Sequence, residues 1–296
     1  MKFRRVLESL VLATLLSGCA TVPHRPPTTP IPTPQPTQVP IPRPIPIPTP
    51  IPTPIPVPLP IPRPTSTPFR PVLAKPVIAI FAGHTATLHN RTNGPGSRSA
   101  SGQWEYQFND DLVARLGELP NPAAAYVLFP ASKNVPLTER PQRAVAEGAS
   151  LYVEVHHDSA QLIDIERLRR EGKSPSDWRE LSGFSVFYNP KNGRSDESKR
   201  LATLIAQELK ITGFIPNLYH AKPISGENRI LLNPDLGLYD GSHLFVLREN
   251  PLPAVLVEGG VIVNPFEEKK LVEPKTQRRI VTAIDRAVAA YLAINH

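Results

Sequence analysis

Two histidines and a glutamate stand where predicted secondary-structure elements end or begin. His84 follows a short apolar run, His156 follows a second one, and Glu105 opens a predicted helix. On that helix Glu105 shares a face with apolar residues, where a carboxylate without a partner is unfavourable. Two imidazoles and one carboxylate form a hydrolytic zinc set that leaves a fourth position for water. Each residue alone is a weak signal, but their joint placement favours a metal site.

Further polar residues near these positions keep several interpretations open. His157 and Asp158 follow His156 directly. Because neighbouring strand residues point to opposite faces of a sheet, only one of the two histidines faces the metal, and His157 is the alternative to His156. Asp158 fits either a residue that positions a ligand or a turn residue at the strand end. His89, His220 and His243 belong to no motif, and surface and substrate-contact roles are equally open for them.

A second carboxylate, Glu258, follows the apolar run 254–257 and precedes two glycines. An apolar run bounded by turn residues is typical of a buried strand. Open α/β sheets build their sites at the carboxyl ends of strands, where a buried carboxylate must be paired, protonated or beside a metal. Glu258 therefore has either a chemical role or a structural one as a strand cap that binds loop amides.

The elements that carry these residues alternate along the chain between strand and helix. Strands are predicted at 77–81, 126–129, 151–155, 184–188, 244–247 and 254–257, and helices at 105–116, 140–149, 198–210 and 276–294. This alternation predicts an α/β fold, with a central mixed, mostly parallel sheet flanked by helices on both faces.

The N-terminus is typical of a targeting segment. Basic residues precede the apolar run 10–16, which is too short to span a membrane, and Leu16-Ser17-Gly18-Cys19 follows. That order resembles the lipobox of bacterial lipoproteins, which implies a signal peptide at 1–18 and a lipidated Cys19. The alternative is a soluble secreted protein with an incidental cysteine. Cys19 is the only cysteine, so neither an internal disulfide nor a cysteine ligand is expected.

Residues 19–75 are predicted to form a proline-rich stalk. Ile-Pro and Thr-Pro dipeptides alternate from Pro30 to Pro64. Proline at every second position removes backbone donors and favours polyproline II. At about 3.1 Å per residue, some 45 residues would reach roughly 140 Å. The stalk would hold the globular part away from the membrane.

The remaining residues, 76–296, are enough for one domain with a substantial core. The chain has a formal net charge of +7, which suits an anionic surface such as a cell-wall polymer or lipid headgroups. It contains no nucleic-acid-binding motif, so no nucleic-acid partner is expected.

Taken together, these motifs resemble the zinc-dependent N-acetylmuramoyl-L-alanine amidases of the type with an α/β fold (amidase type 3). That family shows Gly-His after its first strand, Glu at the next helix, a Ser-Ile-His-Ala-Asn-like stretch, and Pro-Ala-Val-Leu-Val-Glu before a Gly-Phe-Ile-Ser-Asn-like stretch. The counterparts here are Gly83-His84, Glu105, Glu154-Val155-His156-His157-Asp158, and Pro253 to Glu258 followed by Gly260-Val261-Ile262-Val263-Asn264. Leu137-Thr138-Glu139-Arg140 with Ala144 resembles another stretch of the family.

The resemblance implies that His84, Glu105 and His156 bind one Zn²⁺ per domain and that Glu258 is the catalytic acid/base. The reaction would be hydrolysis, by a zinc-activated water, of the amide between N-acetylmuramic acid and L-alanine in peptidoglycan. The alternatives are a degenerate domain that binds peptidoglycan without cleaving it, and a zinc hydrolase of another amide. A lipidated Cys19 would place the enzyme in the cell envelope, on the periplasmic face of the outer membrane. The sequence identifies no protein activator.

Three departures from the family pattern bear on these implications. Phe81 replaces the usual Asp of the first motif, which removes a carboxylate expected to support the first histidine ligand. Thr85-Ala86 replaces the usual Gly pair, and His157 stands where Ala is common. The segment 161–181 has no counterpart; a solvated helix is favoured there, and a gate or glycan-contacting arm is the alternative.

Overall fold

A computed structural model describes residues 75–87 and 94–295, all of which belong to one compact unit. Its centre is a seven-stranded sheet with the order β2-β1-β3-β7-β4-β6-β5. The strands are β1 Val77–Ala82, β2 Ala125–Phe129, β3 Ala149–Asp158, β4 Ser185–Tyr188, β5 Leu231–Asn233, β6 Leu238–Asp240 and β7 Ala254–Val261. The β4–β7 and β5–β6 pairs are antiparallel and the others parallel, so the predicted mixed, mostly parallel sheet is confirmed.

Helices cover both faces of this sheet, as predicted. They are α1 Glu105–Gly117, α2 Arg140–Ala146, α3 Leu162–Glu171, α4 Ser195–Ile211, α5 Phe245–Arg248, α6 Pro265–Leu271 and α7 Pro274–Asn295. On one face, α1, α4 and α7 bury their apolar stripes against alternate residues of β1, β3, β4 and β7. On the other face, α2 and α5 pack against the intervening strand residues. None of the described helices is long and apolar enough to cross a membrane.

The prediction of a strand at 244–247 is wrong, because this stretch lies in the short helix α5 and the turn before it. Periodicity cannot separate strand from helix in so short an apolar run, and here helical geometry buries Val246 and Leu247 together in the core. The predicted helix 140–149 also ends earlier than expected, at Ala146. The strands β5 and β6 and the helix α6 were not predicted.

Both central strands extend further than their apolar runs indicated. His156, His157 and Asp158 lie within β3 rather than after it, and Glu258 lies within β7. These strands are parallel neighbours, and His156 and Glu258 are direct partners in their register. Both strands therefore continue past their apolar residues, and polar side chains occupy the edge of the sheet where the parallel strands end.

The segment 161–181 contains the favoured helix, but this helix is only partly solvated. Its helix α3 exposes Leu162 and Ile163 but buries Ile165 and Leu168. Together with Trp178, Leu181, Tyr219, Val261 and Val263 these residues form a separate apolar cluster. The segment is therefore packed against the end of β7.

The predicted signal peptide 1–18, the lipidation site Cys19 and the stalk up to residue 74 lie outside the described residues. These features stay predictions.

Candidate metal centre

His84 occupies the turn that leaves β1, with a left-handed backbone (φ 67°) that is uncommon for a residue other than glycine. The buried guanidinium of Arg140 holds this turn. Its Nη2 donates to the His84 carbonyl at 2.6 Å, and its Nη1 donates to the Ala82 carbonyl at 3.2 Å. The backbone of His84 is thus held in place, while its imidazole is partly exposed.

Glu105, at the start of α1, joins the two histidines predicted as ligands. Its Oε1 lies 3.1 Å from Nε2 of His84 and 3.0 Å from Nδ1 of His156. The backbone N–H of Ser97 donates to its Oε2 at 3.1 Å. Although burial opposes ionisation, the two imidazoles hold the pKa of this carboxyl well below its usual range. The buried carboxylate therefore has the partners that the sequence required of it.

The two adjacent histidines of β3 point to opposite faces, as strand geometry predicts. His156 turns into the cleft over Gly83, where an added Cβ would lie 2.3 Å from its Nε2. The ring of His157 instead packs 5.5 Å from that of Phe108, and its Nδ1 lies 2.8 Å from Asn109 Oδ1. Burial lowers the pKa of His157 to about 4, so this ring is neutral at physiological pH. The alternative ligand is thus directed away from the cluster.

Glu258 lies across from this cluster on β7. Among the described residues its buried Oε2 has no hydrogen-bond partner, so no loop amide caps the strand through this atom. Burial, reinforced by the nearby charge of Asp158, raises the pKa of Glu258 to about 8, although His156 and His220 oppose that rise. A carboxyl with a free oxygen and a pKa near neutrality is suited to proton transfer.

A second polar cluster lies beside Glu258. His220 Nε2 lies 2.7 Å from Asp158 Oδ2, and its Nδ1 lies 2.7 Å from Glu227 Oε2. Asn217 Nδ2 also donates to Asp158 Oδ2, at 3.2 Å. Burial lowers the pKa of His220, but the two carboxylates outweigh it and raise the pKa to about 10. Asp158 therefore binds Asn217 and His220 in the loop after α4, in addition to ending its strand.

No sequence motif indicated the role of His220, and only its proximity in the fold reveals it. His243, another histidine without a motif, is exposed and contacts Arg229, which supports a surface role for it, whereas His89 lies outside the described residues.

The donor set fits a metal ion. One ligand atom from each of His84, Glu105 and His156 can be chosen so that all three lie within 4.8 Å of one another. A cavity of about 170 Å³ adjoins the two histidines and is bounded by Leu137 and Phe245. Larger cavities, of about 860 and 340 Å³, lie beside Tyr219 and beside Glu267 and contain none of the three donors.

A family comparison agrees with this site. The family model described as N-acetylmuramoyl-L-alanine amidase matches residues 78–290. The chain belongs to this family. The amidase is therefore a hydrolase of peptidoglycan, as its motifs implied. None of the curated proteins matches its sequence.

Solved structures share the fold of the amidase at low sequence identity. An N-acetylmuramoyl-L-alanine amidase from Clostridium difficile 630 is 20% identical, with a TM-score of 0.56 over 75% of this chain and 99% of that one. Ami1 of Mycobacterium smegmatis is 19% identical, with a TM-score of 0.57 over 75% and 98%. The catalytic domain of CwlV from Bacillus (Paenibacillus) polymyxa var. colistinus is 23% identical, with a TM-score of 0.52 over 74% and 99%.

Proposed function

We propose that the amidase cleaves the amide between N-acetylmuramic acid and L-alanine with one zinc ion held by His84, Glu105 and His156. The observation that carries this proposal is the convergence of these three donors opposite Oε2 of Glu258, which has no hydrogen-bond partner within the described part of the chain. Two imidazoles and a carboxylate are ligands that zinc prefers, and three protein ligands leave one position open. A bound zinc ion would act as a Lewis acid that lowers the pKa of water towards about 7 and polarises the scissile carbonyl.

Glu258 supplies the acid–base function in this proposal. Its free Oε2 accepts a proton from the attacking water and then donates it to the amine of the departing L-alanine. Burial raises the pKa of the Glu258 carboxyl to about 8, and the positive charge of a bound zinc ion would favour the carboxylate form that accepts the first proton. The register between β3 and β7 fixes its place across from His156.

The N-terminal sequence supports a proposal for the cellular location of the enzyme. The lipobox-like stretch ending at Cys19 supports a lipid anchor, and the proline-rich residues 19–75 support a stalk between that anchor and the enzyme. Ala20, rather than Asp, follows the cysteine and favours sorting to the outer membrane. The amidase would thus act on the cell wall from the periplasmic face of that membrane.

Product analysis on purified sacculi tests the reaction. The full-length chain should release free stem peptides that begin with L-alanine and leave intact glycan strands, as identified by mass spectrometry. A degenerate domain would bind sacculi and release nothing, and a hydrolase of another amide would release fragments with a different N-terminus. Either of these results would overturn the proposal.

A further inference from the structure

Glu154 is a buried carboxylate of β3 that the reaction above does not use. It lies two residues before His156, on the same face of the strand, and is 1% exposed. Its Oε1 lies 3.2 Å from Nε2 of His156. An ionisable group this deeply buried requires partners, and one of them is a zinc-ligand candidate.

The imidazole of His156 is consequently held between two carboxylates. Its Nδ1 faces Oε1 of Glu105 within the donor cluster, whereas its Nε2 faces Oε1 of Glu154 outside that cluster. The ring has only these two nitrogens, and each of them contacts a different carboxylate. With Nε2 donating to Glu154, Nδ1 keeps its lone pair for a metal ion.

The remaining contacts of Glu154 fix it in place. Arg140 Nη1 donates to its Oε1 at 2.5 Å, and the hydroxyl of Tyr152 donates to its Oε2. The ion pair with the equally buried Arg140 matches the charge of this carboxylate. Arg140 also donates to the carbonyl of His84, so one buried ion pair contacts both histidines of the donor set.

The position of Glu154 bears on the altered first motif. Phe81, which replaces the usual Asp, is the direct partner of Glu154 in the register of β1 and β3. Phe81 itself stacks on Phe129, with ring centroids 4.1 Å apart, and on Tyr152 at 5.0 Å. The carboxylate absent from β1 is thus present at the adjacent position of the neighbouring strand.

We infer that Glu154, secured by Arg140, is a positioning residue of the zinc site that orients His156 through its Nε2. The inference rests on the proposed function, since it presumes that His156 binds zinc. A carboxylate that accepts the second ring N–H fixes the orientation of a histidine ligand and increases its basicity. Loss of such a partner typically weakens metal binding about 10–100-fold.

The test measures zinc affinity of the full-length chain, purified in detergent, by competition with a chromophoric chelator at one pH. Glu154→Gln should bind zinc about 10–100-fold more weakly than wild type. Tyr152→Phe is the matched control, because it removes one hydrogen bond of Glu154 but keeps the carboxylate, and its affinity should stay close to wild type. The visible spectrum of the cobalt-substituted protein should shift in Glu154→Gln and not in Tyr152→Phe.

Glu154→Gln leaves the charge of Arg140 buried, so a second variant guards against misfolding. Arg140→Met combined with Glu154→Leu replaces the pair by apolar groups, an exchange that folded proteins often tolerate. It should fold, as judged by circular dichroism, and bind zinc at least as weakly as Glu154→Gln. Wild-type affinity in either folded variant would overturn the inference alone. A wild-type chain that binds no zinc would overturn the proposed function as well.

Discussion

His156 and Glu258 are direct register partners on the adjacent parallel strands β3 and β7. In the proposed mechanism, His156 belongs to the metal-binding side of the site and Glu258 to its acid–base side. Backbone hydrogen bonds of the central sheet therefore set the spacing between these two sides. We expect side-chain substitutions at either position to change the chemistry while leaving the framework intact.

Replacement of Glu258 by glutamine tests its role as the acid/base. The variant keeps the size of the side chain but loses the ionisable group, so it should retain zinc and fold while kcat falls by about 10²–10⁴. The measurement is turnover of peptidoglycan together with zinc content. Glu267→Gln is a suitable control, since it alters another partly buried carboxyl in a cavity away from the donors. A Glu258→Gln enzyme that melts earlier but turns over at the wild-type rate would show a structural role.

Single alanine substitutions test each of the proposed zinc ligands. Truncation of His84 or His156 leaves too few donors, so zinc content after dialysis should fall strongly and activity should be lost. His157→Ala should keep its zinc, because that ring faces Asn109 and Phe108 rather than the cluster. Atomic absorption on the purified variants gives the answer. Loss of zinc in His157→Ala with retention in His156→Ala would contradict the ligand assignment.

The stability of the fold should depend on pH through Glu267. Burial raises the pKa of this carboxyl from its ordinary value of 4.5 to about 7, although N–H groups of Gly183 and Val261 oppose the rise. Glu267 thus ionises at lower pH in the unfolded chain than in the folded one. The stability that its protonated carboxyl contributes is complete below about pH 4.5 and is lost as pH rises through about 7.

Urea unfolding of wild type and Glu267→Gln across this range checks the expectation. The midpoint for wild type should fall relative to that of the variant between these two pH values. Parallel curves would show that Glu267 titrates alike in both states.

The predicted stalk should affect the reach of the enzyme and not its chemistry. Deletion of residues 30–64 should leave activity on soluble wall fragments unchanged, because the tract is predicted to lie outside the enzyme domain. Activity in cells should fall, because a lipid-tethered enzyme would lose roughly 100 Å of reach. Digestion of soluble fragments and lysis assays on whole cells separate the two effects. An equal loss in both would indicate that the tract packs onto the domain.

The donor cluster could be predicted because the end of a strand is recognised from a few neighbouring residues. His84 and His156 close apolar runs, and the carboxyl ends of parallel strands meet at one edge. The ends of β3 and β7 were placed too early, because polar residues such as Asp158 and Glu258 interrupt the apolar pattern while the sheet continues. A change from apolar to polar residues marks the point where burial in the core ends. At the edge of the sheet that carries the site, the strand continues beyond that point.

Two supporting contacts could not be predicted from the sequence. His220 reaches Asp158 only through the path of the loop after α4, which no periodicity describes. Glu154 and Arg140 carry opposite charges on separate elements, and a sequence does not distinguish a buried ion pair from two solvated charges. Both contacts depend on tertiary proximity.

The left-handed backbone at His84 carries a local cost that is tied to the position of its imidazole beside Glu105. A side chain with a Cβ in this conformation costs on the order of 1 kcal/mol relative to glycine. His84→Gly would remove that cost, but it would also take from the buried Glu105 carboxylate one of its two imidazole partners. Thermal unfolding of the zinc-free chain should accordingly show no gain in stability for His84→Gly, so the strained turn persists through the contact that its imidazole makes with Glu105.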